Sequence, residues 1–89
     1  MKYKYKTVNT CSSAIYFDME GDVVHNIAFE GGCNGNLKAI SKLLDGQKVE
    51  YIENTLRGNT CGFRPTSCAD QLAIAVRQAY DGNLSPIKK

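Results

Sequence analysis

Apolar and polar residues alternate along the first thirty positions of the chain. Lysines alternate with tyrosines and a threonine over residues 2–7, and large apolar side chains fill every second position of 14–19. A glycine-containing turn at 20–22 leads into a third alternating run over 23–30. Alternation with a period of two is typical of strands that bury one face. The pattern therefore predicts three strands, of which the second and third form a hairpin.

Apolar residues recur at helical spacing in three later stretches. The first stretch is capped by Asn36 and runs to Leu44, and the second covers 49–56, where a strand is the alternative. The third follows Ser67, whose hydroxyl can cap a helix, and stops at Gly82. Two or three helices are therefore expected after the strands.

This order of elements predicts an α+β fold: a three-stranded antiparallel sheet followed by two or three helices packed on one face. The length of 89 residues fits a single domain over 1–89, and residues 83–89 are expected to form a loose tail. The apolar share of 43% and the charged share of 22% are ordinary for a folded soluble protein. Small domains often need a metal, disulfides or a partner subunit for stability, and a homodimer is compatible with this sequence.

The net charge and the hydropathy of the sequence limit the partners and the cellular locations that we expect. A net charge of +2 is too small to indicate a nucleic-acid partner. No stretch approaches the roughly 20 apolar residues of a membrane span, and the lysine-rich start has no signal-peptide core after it. We therefore expect no membrane association and a cytoplasmic location. Cytosolic cysteines are kept reduced, which favours metal binding or redox chemistry over structural disulfides.

The four cysteines are the main candidates for chemistry. Cys11, Cys33, Cys61 and Cys68 are separated by 21, 27 and 6 residues, so none forms the closely spaced pair of common zinc fingers. Their places in the predicted elements are more informative, because most of them lie on loops at element ends, where ligand sites are commonly built. Cys68 directly follows a predicted cap, where the helix dipole favours the thiolate.

Three interpretations of these cysteines remain open at this point. Four thiolates suit a tetrahedral zinc ion or an iron-sulfur cluster. A thiol redox pair and inert packing are the alternatives. We expect Asp70, Arg57 and Arg64 to support such a site without binding the metal. Asp70 would do so from the first turn of the last helix, where it complements the dipole. The arginines would offset thiolate charge or, alternatively, bind an anion. No glycine-rich phosphate loop or Ser-His-Asp set is present, so no catalytic residue is assigned.

Three sequence blocks resemble the signature blocks of the TSCPD domain family. They are 31–36 (GGCNGN), 56–62 (LRGNTCG) and 66–72 (TSCADQL), in the family's order and spread over nearly the whole chain. Ala69 stands where the motif has proline, and Asn9-Thr10 stand where a Gly-Val pair is usual. The resemblance implies that all four cysteines bind one metal, most simply zinc.

The family resemblance also suggests a biological setting. The TSCPD domain family includes small stand-alone proteins and a C-terminal domain of adenosylcobalamin-dependent ribonucleotide reductases. The resemblance implies an accessory module serving deoxyribonucleotide synthesis through a protein partner, because a domain of this size is too small to be a complete ribonucleoside-diphosphate reductase. A redox relay using Cys61 and Cys68 is the alternative.

The chain is also similar, more distantly, to U-type iron-sulfur cluster scaffold proteins. Cys11, Cys33 and Cys68 match the positions of the three scaffold cysteines in the predicted elements. This similarity implies a cluster scaffold or carrier, with a redox or cluster protein as partner. Ser12 stands where the scaffolds have an aspartate after the first cysteine.

Overall fold

A computed structural model describes residues 1–8, 10, 12–31, 34–59 and 66–87. Four strands and three helices are formed within these residues. In chain order they are β1 (Lys2–Lys6), β2 (Ser12–Glu20), β3 (Val23–Gly31), α1 (Asn34–Leu44), β4 (Gln47–Lys48), α2 (Val49–Leu56) and α3 (Cys68–Tyr80).

The strands form one antiparallel sheet in the order β1-β2-β3-β4. β1 and β2 pair along their lengths, and β2 and β3 form the expected hairpin around Gly21, whose φ of +60° suits glycine. The two-residue β4, which pairs with the start of β3, has no counterpart in the sequence pattern. The α+β prediction is confirmed, with this short fourth strand added.

All three helices contribute to a core on one face of the sheet. Because side chains alternate along a strand, Ile15, Phe17 and Met19 of β2 all reach this core, as the period of two predicts. The core also contains residues from β1, from β3 and from each helix: Tyr3, Val24, Ile27, Leu44, Val49, Ile52, Leu72, Ala75, Val76 and Ala79. No helix in the described ranges has the length and apolar character needed to cross a membrane.

The helix ends show which of the predicted caps and stops are correct. Ser67 caps α3 as predicted, and the helix ends before Gly82, whose φ is +82°. The predicted cap at Asn36 is wrong, because α1 begins at Asn34 and Asn36 lies in its first turn. After α3 the chain stays close to the domain: Leu84 packs against the core and the Ile87 N–H donates to the Lys2 carbonyl at 2.8 Å.

Candidate functional site

The predicted site residues fall into two groups. Cys11, Cys33, Cys61 and Arg64 lie outside the described residues. Cys68, Asp70 and Arg57 are described, and all three lie at or near the N-terminus of α3. In the described ranges no three His, Cys, Asp or Glu side chains form a group that could hold a metal ion.

Cys68 is the first residue of α3 and is half-buried. The side-chain oxygen of Ser12, at the start of β2, is 3.1 Å from the Cys68 sulfur, within hydrogen-bonding distance. Ser12 is itself only 3% exposed, and its carbonyl accepts from the Thr10 hydroxyl at 3.0 Å. The cysteine therefore lies at a helix N-terminus, a position that favours a thiolate, beside a buried hydroxyl that is able to donate a hydrogen bond to it.

Ser67 joins the helix to the loop before it. Its hydroxyl accepts from the Asp70 N–H at 3.1 Å, as an N-cap does, and donates to the Asn59 carbonyl at 2.6 Å. Residues 57–59, which follow α2, are therefore held against the start of α3. The sequence predicted the cap but not the second bond.

Asp70 is a buried carboxylate with several donors around it. Its Oδ1 accepts from Gly58 N–H at 2.7 Å and from Arg57 Nη1 at 3.0 Å, and its Oδ2 accepts from the Thr66 hydroxyl. A carboxylate three positions after a serine cap can turn back to the backbone of the cap residue, here Ser67, as in a capping box. In the structure it instead binds the loop that follows α2.

These contacts decide the charge state of Asp70. Burial by itself would raise the pKa of this carboxyl, but the hydrogen bonds from Thr66, Gly58 and Arg57 outweigh burial and hold its pKa below the ordinary value. The neighbouring Tyr5 has a raised pKa, caused first by burial and then by the negative charge of Asp70. Asp70 is therefore a carboxylate, and Tyr5 a neutral phenol, at neutral pH.

Gln71 extends the polar cluster towards the N-terminal part of the chain. Its Nε2 donates to Thr66 Oγ1 at 3.0 Å, and its Oε1 accepts from the Val8 N–H at 3.2 Å. Gln71 and Thr66 are both buried. In the described residues no buried side-chain nitrogen or oxygen lacks a hydrogen-bond partner, so the cluster is internally satisfied.

Sequence reasoning did not identify Ser12, Thr66 or Gln71 as site residues. Thr66 and Gln71 carried one signal, because both lie in the motif block 66–72. Ser12 carried no comparable signal. Its contact with Cys68 joins residues 56 positions apart and depends on how β2 packs against α3.

The comparisons with known proteins agree with the motif resemblance. The family model described as TSCPD domain matches residues 1–80. No curated protein and no solved structure matches the chain.

Proposed function

Since the chain belongs to the TSCPD domain family, we propose that it is a metal-binding accessory module. Cys11, Cys33, Cys61 and Cys68 hold one zinc ion in this proposal. Asp70 and Arg57 support the ligands, and Arg64 offsets their negative charge. Four thiolates around one zinc form a closed structural site, with zinc to sulfur distances of about 2.3 Å.

The proposal is carried by the described chain neighbours of the four cysteines, which lie together at one end of the sheet. Ser12, which directly follows Cys11, is in contact with the Cys68 sulfur. Gly31, two positions before Cys33, pairs with Ser12 across the β2–β3 ladder. These contacts support a common location for three of the proposed ligands.

The fourth proposed ligand is connected in the same way. Asn59, two positions before Cys61, accepts a hydrogen bond from Ser67, which directly precedes Cys68. This contact joins the described segment that precedes Cys61 to the start of α3, which supports including Cys61 in the proposed site.

The biological role is proposed from the family resemblance. The motif blocks resemble the C-terminal domain of adenosylcobalamin-dependent ribonucleotide reductases, which supports a role in deoxyribonucleotide synthesis through a protein partner. The metal in this role is structural: it holds the cysteine-bearing segments in the arrangement that the partner recognises. Substrate chemistry takes place on the partner.

Metal analysis of anaerobically purified protein tests the proposal. We expect one zinc per chain, and replacing zinc by Co²⁺ should give the intense sulfur-to-metal charge-transfer bands of a four-thiolate site. Each of the four Cys→Ser variants should weaken or abolish binding, whereas Ser13→Ala, an exposed neighbour, serves as control. A metal-free protein with four titratable thiols would overturn the proposal. Iron and sulfide in place of zinc would favour a cluster carrier.

A thiol redox relay is the second candidate, favoured by the bond between Ser67 and Asn59. That bond holds the residue before Cys68 against the segment that leads to Cys61. In this relay the two thiols would reduce a partner disulfide to two thiols and become a disulfide themselves, so that two electrons and two protons are transferred. Mass spectrometry after incubation with a disulfide buffer should then find a mass loss of two hydrogens, located at Cys61 and Cys68.

A further inference from the structure

We infer that Gln71 is a positioning residue for the proposed metal site. Its side chain holds the segment that leads to Cys11 at a fixed place relative to the segment that leads to Cys61. The inference rests on the proposed function, and it concerns a residue that binds no metal itself.

A chain of hydrogen bonds with a single direction runs through Gln71. The Val8 N–H donates to Gln71 Oε1, and Gln71 Nε2 donates to the Thr66 hydroxyl oxygen. The Thr66 hydroxyl, having accepted from Gln71, donates its own proton to Asp70 Oδ2. Asp70 is held in turn by the Gly58 N–H. The amide of Gln71 suits its position, because one end accepts from Val8 and the other donates to Thr66.

The charge of Asp70 strengthens this chain. An ionised acceptor makes shorter and stronger hydrogen bonds, and successive bonds in a buried chain polarise one another. Gln71, Thr66 and Asp70 are 5%, 7% and 3% exposed, so water competes little for their bonds. A break at Gln71 would therefore weaken the Thr66 bond to Asp70 and loosen the carboxylate to which Gly58 donates.

The ends of the chain connect it to the proposed site. Val8 lies three positions before Cys11, and Gly58 lies three positions before Cys61. Gln71 itself lies one helical turn after Cys68 on α3. The cluster thus connects, through hydrogen bonds, the approach to two proposed ligands with the helix that carries a third.

Gln71→Met tests the inference, because methionine has a similar volume but can neither accept from Val8 nor donate to Thr66. Gln78→Met, the same substitution on the same helix, is the matched control. Zinc affinity is measured by chelator competition, and amide hydrogen exchange is measured by NMR on the metal-free proteins. Gly46, whose N–H binds the Val24 carbonyl at 2.7 Å, provides a reference amide away from the cluster.

We expect Gln71→Met to weaken zinc binding about tenfold relative to Gln78→Met. Exchange should accelerate about fivefold or more at Val8, which loses its acceptor, and at Gly58, whose acceptor Asp70 is loosened, while Gly46 is unchanged. Unchanged zinc affinity with faster exchange at Val8 alone would overturn the inference, because Gln71 would then hold only the segment that contains Val8.

The two proposals fail in different ways. If the wild-type protein binds no zinc, the metal site is refuted. Amide hydrogen exchange in the metal-free proteins then decides the positioning role. Faster exchange at both Val8 and Gly58 supports that role, and unchanged exchange at Gly58 overturns it. If Gln71→Met does not fold, Thr66→Val breaks the same chain one bond further on. Thr66→Ser keeps the hydroxyl and should restore zinc affinity to within about twofold of wild type.

Discussion

At the scale of single residues, the most consequential side chain is the carboxylate of Asp70. It was expected as a helix-start residue that complements the dipole, and it lies there. Its carboxylate, however, is directed at the loop after α2, where Arg57 and Gly58 donate to it. A buried carboxylate is tolerated only when its lone pairs are satisfied, and here at least three donors do so.

Asp70→Asn should lower the free energy of unfolding by about 2 kcal/mol at pH 7. The reason is that the asparagine NH₂ group would face the hydrogen-bond donors that surround the carboxylate of Asp70. The pKa of Asp70 is below its ordinary value in the folded protein. Its contribution is therefore complete above about pH 4 and is lost as the pH falls through the lower folded-state pKa. Urea unfolding at several pH values checks this result.

The matched control for Asp70 is Asp81→Asn, at an exposed carboxylate that pairs with Arg77. It should change the free energy of unfolding by less than about 0.5 kcal/mol. If wild type and Asp70→Asn differ as much at pH 2.5 as at pH 7, the carboxylate is not the source of the stabilisation.

Ser12→Ala removes the hydroxyl that lies beside the Cys68 sulfur. We expect zinc affinity to fall about tenfold, because a hydrogen bond to a ligand atom orients it and disperses its charge. Chelator competition measures the change. Ser13→Ala is the control, since the Ser13 side chain contacts Glu30 on the other side of the strand. Equal affinities of the two variants would show that the Ser12 hydroxyl does not act on the ligand.

At the scale of elements, the start of α3 joins the fold to the candidate site. The apolar face of this helix, including Leu72 and Val76, is fully buried against the sheet and α2. Its N-terminal turn carries Cys68, the Ser67 cap and Asp70. The position of the site is therefore fixed by the same packing that forms the core.

Ser67→Ala should lower the free energy of unfolding by about 1 kcal/mol, because it removes the cap bond to Asp70 and the bond to Asn59. Lys48→Ala is the control: Lys48 is the N-cap of α2 and makes no side-chain cap bond. Thermal unfolding followed by circular dichroism compares the two variants. A loss at Lys48 as large as that at Ser67 would contradict the capping explanation.

At the scale of the whole molecule, the core and the candidate site are separate. The core is built from apolar side chains of the four-stranded sheet and the three helices, and Cys68 is not one of its members. We expect a fold with such a core to form without a metal and to gain stability from the proposed zinc ion.

Removing the metal should therefore lower the thermal midpoint without unfolding the protein at 25 °C. Free zinc at one hundred times its dissociation constant would add about 2.7 kcal/mol to the free energy of unfolding. Circular dichroism melts with and without a chelator measure the difference. Complete loss of structure on chelation would show that the domain folds only around its metal, as zinc fingers do.

The sequence by itself determined most of the elements, though not β4, and the family. Period-two alternation identified β2 and β3, helical spacing favoured a helix for α2, and Ser67 with Gly82 marked the ends of α3, because these signals depend on neighbours within one or two turns. It also contained the motif blocks that place the chain in the TSCPD domain family.

Only the tertiary structure decided which polar groups meet. The two-residue β4 depends on pairing with β3, and the contacts of Asp70, Ser12 and Gln71 join residues 12, 56 and 63 positions apart. A buried polar side chain takes whichever partners the packed elements bring within about 3 Å, and no local pattern encodes that choice.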